Sequence, residues 1–156
     1  MTALDTLAAG YRMGRQLVHR FTDDLTDAEF VHQPVPGANS AAWIVGHLAV
    51  TARRTAERLG ATDLPLLTEA FVERFSVTKR AAGEQAELLA LFDACFEQLL
   101  AALPALPAEA LAAPPANPGP FAATFGEAVL FGALHVALHA GQLSTVRRSL
   151  GKPPTV

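Results

Sequence analysis

His135 and His139 stand four residues apart in a run of sequence that reads as helix. Four residues advance a helix by about 400°, so both imidazoles leave the same face, one turn apart. Two imidazoles so placed can hold one divalent ion, with each nitrogen about 2.0–2.1 Å from it. The intervening Val136, Ala137 and Leu138 are apolar, so this face is not a solvated one. Neutral imidazoles in apolar surroundings lose water contacts unless something satisfies their nitrogens, and a metal ion would do that for one nitrogen of each ring. The competing reading is an incidental helical pair. No glutamate follows His135, so the pair lacks the built-in base of the zinc-protease pattern.

His47 lies among Trp43, Ile44, Leu48 and Val50. Taken alone it fits a hydrogen-bonded core histidine. Taken with His135 and His139 it offers a third ligand from a facing helix, the way helical bundles assemble metal sites. Three histidines would leave at least one coordination position for water or substrate, which marks a catalytic site rather than a closed structural one.

Two further residues share these faces. Gln142, three after His139, is placed either to hydrogen-bond a ligand ring or simply to pack between helices. Arg54, two turns beyond His47, is placed to receive a substrate carboxylate or to sit in solvent. His19 reads as a surface residue at a helix C-terminus, and His32, in a loop beside Gln33 and Pro34, as a loop residue or a lid over the site. Cys95 has no cationic neighbour in sequence and reads as a buried hydrophobe, not a nucleophile. A general base is not evident: Glu127 is explained as a helix cap, and Asp23 and Asp24 read as solvated loop residues.

Four helices must position these groups. The first spans about Thr2–Phe21, with Leu4, Leu7, Tyr11, Leu17, Val18 and Phe21 at 3–4 spacing. Gly10 and Gly14 weaken it by about 1 kcal/mol each but permit close helix approach. Thr22–Ala38 connects, with a short helical turn at Thr26–Glu29 and a break at Pro34–Gly37. The second helix starts at Asn39 or Ser40, both good N-caps, and stops at Gly60. Residues from Ala61 to Lys79 are ambiguous, with Glu69–Phe75 either a short helix or an extended cover. The third helix, about Ala82–Leu103, carries Leu88, Leu91, Phe92, Cys95, Phe96, Leu99 and Leu100 at helical spacing. Ala108–Pro120, rich in proline, is expected to be loop. The fourth helix opens on the capping-box pair Thr124 and Glu127 and runs to about Leu150 before Gly151 and Pro153. The result is an all-α four-helix bundle with long connectors, forming one domain over residues 1–156.

Composition agrees. Of 156 residues 51% are hydrophobic and 17% charged, which supplies a core and excludes a disordered chain. A net charge of −3 with no basic tract argues against a nucleic-acid partner. One cysteine excludes an internal disulfide and suits a reducing cytoplasm. Met1–Gly10 does not read as a signal peptide. The most apolar stretch, Ala128–Leu143, is interrupted by two histidines and falls short of the roughly 20 residues that span a bilayer, so no membrane partner is expected.

The segment His135-Val136-Ala137-Leu138-His139-Ala140-Gly141-Gln142-Leu143 resembles the His-x-x-x-His-x-Gly-Gln signature of the DinB/YfiT-like superfamily. Pro36 to Leu48, with a proline loop, an Asn/Ser helix start and Trp43 four before His47, resembles that superfamily's other hallmark, and Arg147 to Lys152 is similar too. The resemblance covers nearly the whole chain in order and spacing. It implies an up-down-down-up four-helix bundle. It also implies His47, His135 and His139 as ligands of a divalent ion, zinc or nickel above all, and a homodimer. Known activities in the superfamily include bacillithiol- or mycothiol-dependent S-transfer and a thiol-dependent isomerisation. The resemblance therefore implies a metal-dependent enzyme, a thiol S-transferase or related hydrolase, acting on a small molecule with a low-molecular-weight thiol as co-substrate. The rival readings are a non-catalytic metal- or ligand-binding stress-response protein, and a dimeric structural protein with buried histidines.

Overall fold

Three threonines each stand three residues before an acidic side chain, and all three pairs close reciprocal caps: Thr2 with Asp5, Thr26 with Glu29 and Thr124 with Glu127. In each, the hydroxyl accepts from the third backbone N–H while the carboxylate accepts from the threonine N–H, satisfying two donors the helix start leaves open. Ser40 caps another helix by accepting from the Trp43 N–H at 3.2 Å. These signals set the elements of the computed structural model, which describes residues 1–76, 84–116 and 120–155. They are α1 (Ala3–Thr22), α2 (Asp27–Phe30), α3 (Ala41–Arg58), α4 (Glu69–Ser76), α5 (Gln85–Ala102) and α6 (Phe125–Ser149). No strand occurs among the described residues.

The four long helices are those expected, and the fold is all-α. The expected Ala82 start of the third helix lies outside the described residues, which resume just before α5. The expected turn near Thr26–Glu29 is α2, and the ambiguous stretch from Ala61 contains the short helix α4; the end of that stretch, past residue 76, lies outside the described residues. The Ala108–Pro120 segment is not wholly loop: Ala108–Ala112 forms a 3-10 turn, as does Leu103–Ala105. The prolines explain this, because Pro107 stands at the cap and Pro114 and Pro115 lie past the end, leaving a proline-free Ala-Glu-Ala-Leu-Ala stretch.

α3 packs chiefly on α5, and α1 chiefly on α6; α3 also meets α6 and α4, and α1 meets α5. The core between them includes Tyr11, Val18, Ile44, Leu48, Phe92, Phe96, Leu99 and Leu143, all essentially without exposure. Gly14 repays its cost to α1 here: a methyl at that position would stand 2.7 Å from Val136 Cγ1, so the missing side chain lets α1 lie close against α6. Two helical stretches, Gln85–Ala105 and Phe125–Ser149, are long and apolar enough to cross a membrane by length and composition, which the shorter Ala128–Leu143 window did not reveal. One face of each packs into the bundle.

The end of α6 is tied down by charge. Arg147 is buried and donates to both carboxylate oxygens of Asp24 and to the Phe21 carbonyl. Lys152 adds a bond to the Asp24 carbonyl at 2.9 Å and an ion pair with Glu29 at 3.3 Å. Asp24 is thus not a free solvated residue; the hydrogen bond from Arg147 holds its carboxyl below the usual range. Asp24 is 56% exposed and returns to water when Arg147 is removed, so the loss is that of charge-assisted hydrogen bonds, about 1.5–3 kcal/mol, whereas exposed Arg148 has little to lose. Urea unfolding of Arg147→Ala is expected to show a loss near that size, and of Arg148→Ala a loss below about 0.5 kcal/mol; equal effects would contradict the tie.

Candidate metal centre

α3 and α6 meet where α3 carries His47 and α6 carries His135 and His139. Their Nε2 atoms converge. His135 Nε2 lies 3.3 Å from His47 Nε2 and 3.1 Å from His139 Nε2. Among the described residues these three form a cluster whose ligand atoms all lie within 4.8 Å of one another.

The opposite ring nitrogens fix the tautomers. His47 Nδ1 is 2.8 Å from the Phe75 carbonyl oxygen, which can only accept, so Nδ1 carries the proton. His139 Nδ1 is 3.1 Å from Gln142 Oε1, and that oxygen also accepts from the Asn39 amide at 3.0 Å. Both rings therefore turn Nε2 lone pairs toward His135. A single proton on His135 Nε2 can serve one of its two close contacts and not both, which leaves lone pairs facing each other. Tetrahedral ligation at about 2.0–2.1 Å puts ligand nitrogens about 3.3–3.4 Å apart, close to the spacing observed. The residues present fit a divalent ion.

Burial favours the neutral, ligating form of all three. It lowers His47, opposed by the Phe75 hydrogen bond and aided by the charge of Arg54. It lowers His135, with His47 adding repulsion. It lowers His139 to about 4, helped by His135 and His47 and opposed by Gln142. Trp43 stacks flat on His47 at 4.6 Å, and Phe131 flanks His135 at 6.3 Å with Phe121 stacked on it in turn at 5.2 Å.

The structure thus brings His47, His135, His139 and Gln142 together. Arg54 is exposed and touches the cluster only through its field. His32 is not a lid: its Nε2 reaches Ser149 Oγ at 3.0 Å, nearly three turns along α6 from His139. His19 is not a plain surface residue: it is half-buried, bonded to Asp93 at 2.8 Å and Asp23 at 3.1 Å, and lies against Phe92. Burial depresses its pKa, but the two carboxylates outweigh that and raise it. Cys95 is buried, and desolvation pushes its thiol up to about 11, as suits a core residue. Sequence reasoning missed Phe75 and Asn39. Phe75 acts through its backbone carbonyl, which leaves no side-chain signal. Asn39 had a ready explanation as a cap, a role Ser40 fills instead.

Fold and site together define an all-α protein with an intramolecular three-histidine centre. A family-level comparison matches residues 11–143 to the DinB superfamily, and the chain belongs to it. Comparison with curated proteins finds no match. Among solved structures, a conserved protein from Enterococcus faecalis is similar at a TM-score of 0.76 and 18% identity, over 97% of this chain and 99% of that one. That likeness is one of fold.

Two outcomes follow. Gln142→Ala frees the His139 ring and is expected to weaken zinc binding about tenfold or more, measured by chelator competition; unchanged affinity would remove Gln142 from the site. Because His139 titrates lower folded than unfolded, its contribution to metal-free stability is full above the unfolded value of 6.5 and is lost as pH falls toward about 4. Urea unfolding of the metal-free protein across that window should show wild type losing stability relative to His139→Phe as pH drops. Wild type gaining stability relative to the variant on acidification would contradict the assignment.

Proposed function

We propose that the protein is a divalent-metal-dependent enzyme acting on a small molecule, with thiol-dependent S-transfer, or a related hydrolysis, as its reaction. The observation that carries this is the convergence of the His47 and His139 Nε2 atoms on His135 Nε2 at 3.3 and 3.1 Å, with no fourth ligand in the cluster among the described residues, in a member of the DinB superfamily. His47, His135 and His139 would hold the ion, with zinc or nickel suited to imidazole. A divalent ion there lowers the pKa of a thiol or water that reaches its open position. Gln142 holds His139 in the ligating tautomer, and Arg54 offers a cation at the end of the same α3 stripe for a substrate carboxylate. A low-molecular-weight thiol is the co-substrate. The low net charge and lone cysteine support a cytoplasmic protein with neither nucleic acid nor membrane as partner.

The chain is further proposed to act as a homodimer. Leu130, Phe131, Leu134 and Leu138 lie on the outer side of α6, Leu138 at 64% exposure, followed by Gly141 with open space where a side chain would stand. Phe131, Leu134, Leu138, Gly141 and Thr145 alternate steps of three and four, the spacing of a helix seam.

One observation favours a non-catalytic, metal- or ligand-binding stress-response role instead: among the described residues the cluster contains no carboxylate to serve as base. The two readings separate in an assay of zinc- and nickel-loaded protein with a panel of small thiols and electrophiles. Thiol consumption abolished by chelator and by His135→Ala supports the enzyme, and metal binding with no turnover across the panel supports the alternative. For the dimer, sedimentation is expected to give twice the chain mass for wild type and a monomer for Leu134→Glu/Leu138→Glu; a monomeric wild type rejects it.

A further inference from the structure

Gly46 precedes His47 inside α3, where glycine costs about 1 kcal/mol relative to alanine. A methyl at position 46 would collide with the ring of Phe75, 2.6 Å from Cγ and closer still to Cδ1 and Cε1. Phe75 is 1% exposed and lies near the end of α4, with Phe71 against it at 4.4 Å and the Arg74 guanidinium 5.5 Å from its ring centre. The Phe75 ring thus occupies the place a side chain at 46 would take. The same residue's carbonyl accepts from His47 Nδ1 at 2.8 Å.

We infer that Gly46 and Phe75 are a paired positioning device for the third ligand: the gap at Gly46 admits the Phe75 ring, and the docked ring delivers the Phe75 carbonyl that fixes the His47 tautomer. The two contacts are one mechanical unit, since the ring and the carbonyl belong to one residue. Without the carbonyl, His47 is free to place its proton on Nε2, which removes the lone pair from the cluster. α4, which contributes no ligand, thereby governs the metal affinity of a site built by α3 and α6. A larger residue at 46 displaces the ring and the carbonyl together.

The inference rests on the three-histidine metal reading for its effect on affinity, but the tautomer is readable without metal. Gly46→Ala, Phe75→Ala and the double variant would be compared with wild type in two measurements. The first is long-range proton–nitrogen NMR of the metal-free protein at mildly alkaline pH; the second is zinc affinity by chelator competition, with His135→Ala as control. Wild type is expected to hold His47 in the single Nδ1–H form. Gly46→Ala is expected to mix the two tautomers and weaken zinc about tenfold or more. Phe75→Ala does the same by loosening α4, and adding Gly46→Ala to it changes affinity less than about twofold, because the clash is gone. The inference is overturned if Gly46→Ala keeps the single tautomer, or if its affinity loss is the same in both backgrounds. Should Gly46→Ala lose its helical circular dichroism, Phe75→Ala decides alone, and unchanged tautomer in that variant overturns the inference. If His135→Ala leaves zinc binding intact, the metal reading fails while the NMR result still judges the Gly46–Phe75 pair.

Discussion

Three imidazole nitrogens pointing at one another with too few protons between them are the constraint around which this structure is organised. Such an arrangement is unfavourable for neutral rings alone and favourable around a cation. It persists because two of the outer nitrogens are held: that of His47 by a backbone carbonyl, and that of His139 by an amide that is itself held by Asn39. Burial then keeps the rings neutral, so the lone pairs are present at physiological pH. Hydrogen bonds aim the lone pairs, and desolvation outweighs the opposing pull of those same bonds toward protonation.

The bundle exists to hold two helices at the distance this requires. α5 packs on α3 and α1 packs on α6, and α1 and α5 also meet each other. The Arg147–Asp24 pair fixes the far end of α6 to the end of α1, and the capping boxes fix where α1 and α6 begin. Small residues set the clearances. Gly14 brings α1 onto α6, and Gly46 lets α4 onto α3 beside a ligand. Each glycine weakens its own helix and gains a tertiary contact in exchange, which is why their positions are explained by neighbours distant in sequence.

Much of this was legible beforehand. The four long helices follow from apolar spacing and from caps such as Thr124–Glu127. The histidine pair follows from a four-residue step on one helix, and residue context with family resemblance brought His47 to it. What stayed hidden has a common physical cause. Phe75 contributes a carbonyl, which every residue has. His19 looked like a helix-end surface residue because Asp93, its main partner, lies 74 positions away. Asp24 looked solvated because Arg147 lies 123 positions away. The 3-10 turn at Ala108–Ala112 was masked by prolines that frame it without entering it. Local pattern reports helices and same-helix pairs, whereas partners joined only by the fold leave little trace in one sequence.

The most direct test of the account is the metal stoichiometry of tag-free protein loaded with zinc or nickel and freed of excess, measured by elemental analysis beside His47→Ala, His135→Ala and His139→Ala. The account predicts about one ion per wild-type chain and a marked loss in each variant. Variants that retain the wild-type content, or a wild type that retains none, would contradict it.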